Sequence, residues 1–304
     1  MKQNAGIVVI SNPTAGQRSG GFVKAVLRGL MERGHLVELR ITERPGHAVE
    51  IARDWASDGN TYLIVAAGGD GTIREVAEGL VGTDMPMGII PAGTANVLAR
   101  ELGYLKAGQR SVRRTVSILE GSHSEHVYPF SVRLPQRETV GLCWVGAGFD
   151  AEVLKHVDSG LKKKIGRSAF VPAILKTLMR EPNKPAVPWQ FSEDGQGVCG
   201  WGLVANIEKY AGPFSVTSKT SLTKKGLACL LFEKPGWFAR ALDQVIIAFK
   251  PLDHRGNTFL LENGSLTLGT GETPIQLDGD LVGVGPVTIT PMEAALNFKA
   301  ANSG

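Results

Sequence analysis

The segment whose residue types point most directly to chemistry is Gly68-Gly69-Asp70-Gly71-Thr72, which lies between an apolar β run and a helical pattern. Glycine lacks the Cβ atom that would hold a phosphate away from the backbone, and peptide N–H groups at a helix start can point at an anion. Asp70 can assist a metal ion or accept a proton from an attacking hydroxyl. The segment favours a phosphate site over the alternative, a glycine-rich turn in which Asp70 is only a cap.

Three other predicted strand ends carry residues of the same kind. Asn12-Pro13-Thr14-Ala15-Gly16 follows the first apolar run, Thr42 follows the second, and Pro91-Ala92-Gly93-Thr94-Ala95-Asn96 follows the fourth. Each segment alone is also ordinary turn or N-cap composition. Because the carboxyl ends of parallel strands meet at one edge of a sheet, the four segments together predict a nucleotide pocket.

The elements that must position these residues alternate along the first 119 residues. The runs GIVVIS, HLVELRIT, TYLIVAAGG and MPMGIIP are predicted strands, and a stretch with helical periodicity follows each of them. This βαβα alternation predicts a parallel sheet covered by helices. After Glu120, short alternating segments punctuated by Gly and Pro predict an antiparallel sandwich or open barrel, interrupted by one helical segment from Leu161 to Arg180.

Composition limits the class of protein. The chain has 304 residues, of which 43% are hydrophobic and 20% charged, an ordinary balance for one large or two ordinary globular domains. A net charge of +4 is too small to favour a nucleic-acid partner. The three cysteines are widely spaced, which indicates no disulfide framework and fits a reducing cytoplasm. No apolar run is long enough for a signal-peptide core or a membrane span, so we expect a soluble or peripheral protein.

The motifs NPTAG, GGDGTIREVAEGL and PAGTANVLARELG, followed by GAGFDAEV and LDGD, resemble in this order the diacylglycerol kinase catalytic domain superfamily. That superfamily includes bacterial lipid kinases, sphingosine kinases and ceramide kinases. The resemblance implies an α/β ATP-binding domain with a parallel sheet similar to that of NAD kinases, over residues 1–122, and an antiparallel β-sandwich domain for the lipid substrate, over residues 123–289. The segment from about residue 290 to residue 304 is a candidate to pack back on the first domain, and ATP and acceptor are expected to meet in the cleft.

The resemblance also assigns residues to the ATP site. These are Asn12, Thr42, Gly69, Gly71, Thr72, Glu75, Gly93 and Thr94. Glu75 matches a family position that supports the site, although by itself it is equally a solvated carboxylate on a helix. Arg74 stands where many relatives carry Asn. The asparagine-glutamate motif with which NAD kinases bind the NAD ribose is not recognisable, which disfavours NAD as acceptor.

A second acidic motif, Asp278-Gly279-Asp280, lies in TPIQLDGDLVG. On its own, Asp-Gly is a common two-residue hairpin turn. The family carries DGE or DGD at this place, and its second acid is the catalytic base in some relatives, whereas the GGDGT aspartate has that role in others. We therefore take Asp70 and Asp280 as the candidate catalytic acids, leave the base open between them, and assign Asp278 to structural support.

Two other segments of the second half bear on the acceptor and on metals. GAGFD, ending at Asp150, resembles a family signature by which Asp150 contacts the acceptor head group; a helix cap is the alternative. Where relatives commonly carry an acidic pair, which in one bacterial branch belongs to a structural magnesium site, this chain has Lys224-Lys225. That departure predicts that the structural site is absent, and we assign no metal ligand.

The segment Leu161–Arg180 contains six basic residues and no acidic one. A basic amphipathic helix can lie on an anionic membrane surface, where each basic group contributes on the order of 1 kcal/mol. The alternative is a solvated helix face that packs on its own sandwich. The sequence leaves the two open.

The leading hypothesis is an ATP-dependent lipid kinase, a phosphotransferase that uses Mg²⁺ with ATP and an alcohol group as acceptor, such as the hydroxyl of diacylglycerol in phospholipid metabolism. It would work in the cytoplasm, with the inner face of the membrane as a possible surface for Leu161–Arg180. One alternative is a kinase for a soluble acceptor of the NAD or sugar-phosphate type. Another is a lipid- or nucleotide-binding protein without turnover. P-loop, nucleophile-elbow and H-E-x-x-H motifs are not found in the sequence, which disfavours those chemistries.

Overall fold

The computed structural model describes residues 6–13, 20–105, 109–157, 170–180, 186–210, 214–232 and 257–302. The chain divides into two compact units, Met1–Val127 together with Ala294–Gly304, and Tyr128–Glu293. Each unit has a hydrophobic core of its own.

The first unit follows the predicted alternation of strands and helices. In chain order its described elements are β1 (Ile7–Ser11), α1 (Gly20–Glu32), β2 (Val37–Ile41), α2 (His47–Ala56), β3 (Leu63–Gly68), α3 (Asp70–Leu80), β4 (Met87–Pro91), α4 (Val97–Glu101), α5 (Gln109–Glu120) and β5 (Ser124–Val127).

The second unit is mainly strands, and the chain then returns to the first unit. Its described elements are β6 (Phe130–Leu134), β7 (Arg137–Gly141), β8 (Trp144–Ala147), α6 (Phe149–His156), α7 (Phe170–Arg180), β9 (Val187–Phe191), β10 (Gln196–Cys199), β11 (Trp201–Ala205), β12 (Lys209–Tyr210), β13 (Phe214–Ser215), β14 (Leu227–Phe232), β15 (Asn257–Leu261), β16 (Leu266–Leu268), β17 (Pro274–Leu277), β18 (Asp280–Val284) and β19 (Val287–Pro291); the returning strand is β20 (Leu296–Lys299).

The sheet of the first unit has the strand order β2-β1-β3-β4-β20-β5, and β1 to β4 are parallel. All six residues of β3 are buried, as expected for an apolar run covered on both faces. Side chains of α1 and α5 pack on β1 and β3 in one core. The predicted parallel α/β architecture is confirmed.

Strands β5 and β20 extend this sheet beyond β4. Phe298 of β20 pairs with Met87 in a parallel arrangement, and β5 pairs with β20 antiparallel. The pattern of short alternating segments that begins after Glu120 predicts that β5 belongs to the second domain. It lies in the first unit instead, because its ladder partner is the returning C-terminal strand.

The second unit contains two antiparallel sheets with strand orders β10-β9-β16-β19-β6-β7 and β15-β14-β11-β8-β17-β18. Buried side chains from both sheets form one core, which includes Phe130 and Ile289 of the first sheet and Val145 and Leu231 of the second. This is the arrangement of a β-sandwich. The predicted antiparallel sandwich is confirmed.

The predicted helical segment Leu161–Arg180 is described only from residue 170 onward. Residues 170–180 form α7, in which Ala173 and Thr177 are buried and Lys176 and Met179 are exposed. The basic positions 162, 163, 164 and 167 lie outside the described residues. Within the described ranges, no helix is both long and apolar enough to span a bilayer.

Candidate active site

The turn between β3 and α3 carries the GGDGT motif at the carboxyl edge of the parallel sheet. The N-cap of α3 is Gly69, which is extended, and the helix begins at Asp70. A Cβ atom at Gly68 would overlap the side chain of Thr72, so glycine lets the buried Thr72 fold back over the strand end. The positive end of the α3 dipole therefore faces the edge at which the sequence predicts an anion.

The loop between β4 and α4 packs directly on this turn. A Cβ atom at Gly93 would overlap the Cα atom of Gly69 and would lie 2.7 Å from Asn96 Oδ1, so the two loops touch backbone to backbone. The Asn96 side chain is 4% exposed; it accepts a hydrogen bond from Gly93 N–H (3.0 Å) and donates one to the Gly93 carbonyl (2.8 Å). Thr94 is exposed in this loop. Asn96 therefore holds the loop in its conformation. The sequence PAGTAN alone could not distinguish this role from that of a helix N-cap.

The carboxylate of Asp70 joins the two loops. Its Oδ1 atom accepts a hydrogen bond of 2.7 Å from the backbone N–H of Val97, the first residue of α4. Asp70 thus has a capping contact, as its alternative interpretation predicted, but with α4 rather than with its own helix. A hydrogen bond from a helix start holds the carboxylate in one orientation.

The ends of β1 and β2 lie along the same edge as these loops. Asn12 N–H donates to the carbonyl of Ala67 in β3 (3.2 Å), and Thr42 N–H donates to the carbonyl of Ser11 (2.9 Å). Thr42 is 8% exposed. Thr14 and Gly16 of the NPTAG motif lie outside the described residues.

Glu75 of α3 connects the GGDGT helix to the loop that follows Thr42. Its Oε1 atom accepts a hydrogen bond of 3.0 Å from Gly46 N–H, at the start of α2, where Gly46 has a φ of 81°. Glu75 is therefore bound to backbone rather than solvated on a helix face. The neighbouring Arg74 is buried, and its Nη1 atom lies 4.0 Å from Glu78 Oε2.

The DGD motif of the second unit forms the hairpin turn between β17 and β18. Leu277 pairs with Asp280, and the two turn residues have positive φ values of 51° at Asp278 and 90° at Gly279, as in a type I′ turn. Asp280 is exposed.

The other acid of the motif, Asp278, is buried and binds backbone. Its carboxylate accepts three backbone hydrogen bonds, from Leu142 (3.0 Å), Cys143 (2.7 Å) and Trp144 (3.0 Å). These contacts fit the structural support expected of Asp278, because removing the carboxylate would leave three buried donors without this acceptor.

Asp150 is the second residue of α6, whose N-cap is Gly148, so Asp150 is not the cap of this helix. Both of its carboxylate oxygens bind protein side chains: the Tyr210 hydroxyl donates to Oδ1, and Gln276 Nε2 donates to Oδ2 (2.6 Å). A Cβ atom at Gly146 would overlap Oδ2, so glycine is required there. The contacts present are therefore internal ones, and the expected contact of Asp150 with an acceptor head group stays a prediction.

The surroundings of Asp150 change its protonation equilibrium. Burial raises the pKa of Asp150 above its ordinary value of 3.8, although the hydrogen bonds from Tyr210 and Gln276 act in the opposite direction. Burial also raises the pKa of Tyr210 well above 10.0, and the adjacent Asp150 charge adds to this effect. Ionised Asp150 is thus less favourable in the folded protein than in the unfolded chain.

Asp150→Asn is expected to change how stability depends on pH. A carboxyl group whose pKa is raised by folding binds more protons in the folded state, so its ionisation costs stability as the pH rises from 3.8 through the folded-state pKa. The substitution removes that cost. We therefore expect the free energy of unfolding of the variant, relative to that of the wild type, to increase as the pH rises across this window. Urea unfolding of both proteins from about pH 4 to about pH 8 measures the difference.

Glu138→Gln is the matched control, because its effect should have the opposite sign. A hydrogen bond from Ser131 and the charge of Arg133 lower the pKa of Glu138, so its ionised form stabilises the folded state and that contribution is lost as the pH falls. Removing Glu138 should therefore cost stability at the upper end of the range. An Asp150→Asn profile that is flat, or that follows the Glu138→Gln profile, would contradict the assignment of a partly buried Asp150 whose ionisation is disfavoured by folding.

Lys225, one of the two lysines at the position of the family's acidic pair, contacts an acidic and an aromatic side chain. Its ammonium pairs with the carboxylate of Glu293 and lies 5.8 Å from the centroid of the Tyr128 ring. Within the described residues, no group of three or more His, Cys, Asp or Glu side chains could hold a metal ion.

The sequence of this chain is similar to proteins of one family. Residues 6–128 match the sequence model described as "Diacylglycerol kinase catalytic domain". The Bacillus subtilis protein named "Putative lipid kinase YtlR" is 38% identical over 305 residues, which cover 95% of this chain and 98% of that protein. The Bacillus subtilis "Diacylglycerol kinase" is 30% identical over 196 residues, or 62% of this chain and 59% of that protein. Other matches span about half of the relative's length, such as 48% of a Pseudomonas putida "Probable lipid kinase YegS-like".

The fold is also that of solved structures. A diacylglycerol kinase structure from Bacillus anthracis matches with a TM-score of 0.74 at 19% identity, covering all of this chain and 99% of that one. At this identity the likeness establishes the fold, and the YtlR match over nearly both full lengths establishes the family. The resemblance that the motifs indicated is confirmed: the chain belongs to the diacylglycerol kinase catalytic domain family of lipid kinases and is a phosphotransferase.

Proposed function

We propose that the protein transfers the γ-phosphate of ATP to a hydroxyl group of a membrane lipid such as diacylglycerol. One observation carries the proposal: Gly69 and Gly93 pack backbone to backbone at the carboxyl edge of the sheet, while Asp70 bridges to the N–H of Val97. Two glycine loops and a fixed carboxylate at such an edge are suited to a phosphate chain beside a reacting group.

The residues of the first unit fit ATP. The backbone of the two loops lacks Cβ atoms at the positions of close approach, and α3 begins at this edge with its dipole toward it. Glu75 binds the backbone N–H of Gly46 at the start of α2. This hydrogen bond supports the loop that begins at Thr42. We propose that ATP contacts Asn12, Thr42, Gly69, Gly71, Thr72, Gly93 and Thr94, with Glu75 in support.

Mg²⁺ fits this site as a companion of ATP. Mg²⁺ is commonly bound by one or two carboxylates together with substrate phosphates rather than by a full set of protein ligands. Asp70 is the carboxylate that the first unit offers at the loop contact, and its Oδ1 atom is bound to Val97 N–H. A bound Mg²⁺ would supply charge neutralisation for the phosphates.

The protein must position ATP and the acceptor hydroxyl and must remove the proton of that hydroxyl. The acceptor oxygen forms a bond to the γ-phosphorus, the bond from that phosphorus to the β,γ-bridging oxygen breaks, and ADP leaves. The hydroxyl proton passes to a carboxylate, for which Asp70 and Asp280 are the two candidates. Asp70 is held by Val97 N–H, whereas Asp280 is exposed at its turn.

Contact with the membrane is part of the proposal. Lys176 and Met179 are exposed on α7, so this helix offers both a cationic and an apolar side chain to a surface. Such a combination suits an anionic lipid surface. Under the proposal the reaction takes place at the cytoplasmic face, with the protein bound peripherally.

The test is transfer of label from γ-labelled ATP to a panel of acceptors in mixed micelles. The panel contains diacylglycerol, a sphingoid base, phosphatidylglycerol, NAD and a sugar phosphate. We expect labelled lipid, and sedimentation of the protein with anionic vesicles. Label found only in NAD or the sugar phosphate would replace the proposal with a soluble-acceptor kinase. Absence of transfer to every acceptor, with ATP still bound, would indicate a binding protein without turnover.

A further inference from the structure

Gln276 lies between two acidic residues to which the sequence gives separate roles. It is 1% exposed on β17, next to the turn of the DGD motif. We propose that Gln276 is a positioning residue that links the Asp150 carboxylate to the turn carrying Asp280, and so fixes the candidate acid for phosphate transfer. The inference rests on the proposed function, in which Asp280 is one of the two candidate carboxylates for the acceptor's proton.

Both ends of the Gln276 amide are used. Nε2 donates to Asp150 Oδ2 at 2.6 Å, and Oε1 accepts from Gly279 N–H at 2.9 Å. Gly279 immediately precedes Asp280. The side chain therefore spans from α6 to the backbone of the turn through two hydrogen bonds.

The backbone N–H of Gly279 determines which way this amide faces. A backbone N–H only donates hydrogen bonds, so the oxygen of Gln276 must point to Gly279 and its NH₂ end to Asp150. The Tyr210 hydroxyl, which donates to the other Asp150 oxygen, holds the carboxylate in place. On the same helix, Glu152 pairs with Lys155 (2.9 Å), so Tyr210 is the titratable group that the described contacts place against Asp150.

The turn needs support on both of its central residues. Asp278 is held by three backbone donors of residues 142–144 and donates its own N–H to the Trp144 carbonyl (2.9 Å). Gly279 has a φ of 90°, and glycine has more backbone freedom than any other residue. Gln276 thus restrains the flexible residue that comes directly before Asp280.

Gln276→Leu tests the link because leucine fills a similar volume without accepting or donating. We expect kcat to fall about 10- to 100-fold while KM for ATP changes less than about twofold, since the acid is misplaced but the nucleotide loops of the first unit keep their contacts. Hydrogen exchange of the peptide around Gly279 should accelerate. Thr220→Val is the matched control: it also removes a buried hydrogen bond in this unit, to the Gly226 carbonyl (3.0 Å), and should keep the wild-type kcat and exchange at Gly279.

Gln276→Glu supplies a readout that loss of stability alone would not give. When the introduced carboxyl group is protonated, it can donate to Asp150 and accept from Gly279 N–H, as the amide does. When it is ionised, it can still accept from Gly279 N–H but no longer donates to Asp150. The kcat of this variant relative to wild type should therefore fall as the pH rises, while the deficit of Gln276→Leu stays constant.

The possible results separate this inference from the proposed function. If the wild type phosphorylates lipid and Gln276→Leu keeps its kcat, or if the Gln276→Glu ratio is independent of pH, the positioning role is overturned and the proposed function stands. If the wild type transfers phosphate to no lipid, the proposed function is overturned and the catalytic part of the inference with it.

Discussion

Asp70→Asn is expected to lower kcat for lipid phosphorylation by about 10²- to 10⁴-fold, the range typical of removing a general base or an essential charge. Asparagine Oδ1 can still accept the 2.7 Å hydrogen bond from Val97 N–H, so the contact between the two loops survives. The variant loses the negative charge and the ability to take a proton. Initial rates with saturating ATP and lipid, together with ATP binding by calorimetry, measure the effect, and ATP affinity should change far less than kcat.

Two comparisons make this result specific. Asp84→Asn removes an exposed carboxylate of the same unit and should leave kcat unchanged. Asp70→Ala removes the acceptor for Val97 N–H as well as the charge, so it should also lower the melting temperature, which Asp70→Asn should not. Wild-type activity in Asp70→Asn would remove Asp70 from the chemistry and leave it as the residue that holds α4 in place.

The location of the candidate site could be proposed from the sequence because it depends on local patterns. The four apolar runs and the helices between them require a parallel sheet, and its topology brings the ends of β1 to β4 to one edge. The Asp278-Gly279 turn could also be predicted from the sequence, since its two residues suit the positive φ values of a type I′ hairpin.

The side-chain contacts of the candidate residues in each unit could not be predicted in the same way. Asp70 binds Val97, which is 27 residues later, and Gln276 binds Asp150, which is 126 residues earlier. In TPIQLDGD, Gln276 is one of several polar residues that alternate with apolar ones. No rule of sequence spacing connects it with Asp150 of GAGFD. Such pairs arise from the packing of elements distant in sequence, on which local periodicity carries no information.

The same limit applies to β5. Its short alternating pattern fits either an edge strand of the first sheet or a strand of the sandwich. The pairing of Val127 with Leu296 decides between them, and it depends on where the C-terminal segment returns.

Gly93→Ala is expected to impair ATP use by forcing the two glycine loops apart. The new Cβ would overlap Gly69 Cα and lie 3.2 Å from Gly69 N, and backbone atoms at a strand end cannot move aside without separating the loops. It would also crowd the Asn96 amide, which forms two hydrogen bonds with Gly93. We expect a loss of about 1–3 kcal/mol of stability from overpacking and a fall in kcat/KM for ATP of about 10²-fold from misplaced phosphate contacts.

Gly21→Ala is the matched control, because a methyl group there meets no atom of the described residues within 4 Å and lies in helix α1 of the same unit. Alanine is preferred over glycine in helices by up to about 1 kcal/mol, so this variant should melt at or above the wild-type temperature with unchanged kinetics. Thermal melts and ATP titrations of the two variants side by side separate the effect of the loop contact from that of adding a methyl group. If Gly93→Ala kept both its melting temperature and its kcat/KM for ATP, the close packing of Gly69 on Gly93 would not be needed to bind the phosphates, and the glycines of the two loops would be turn residues only.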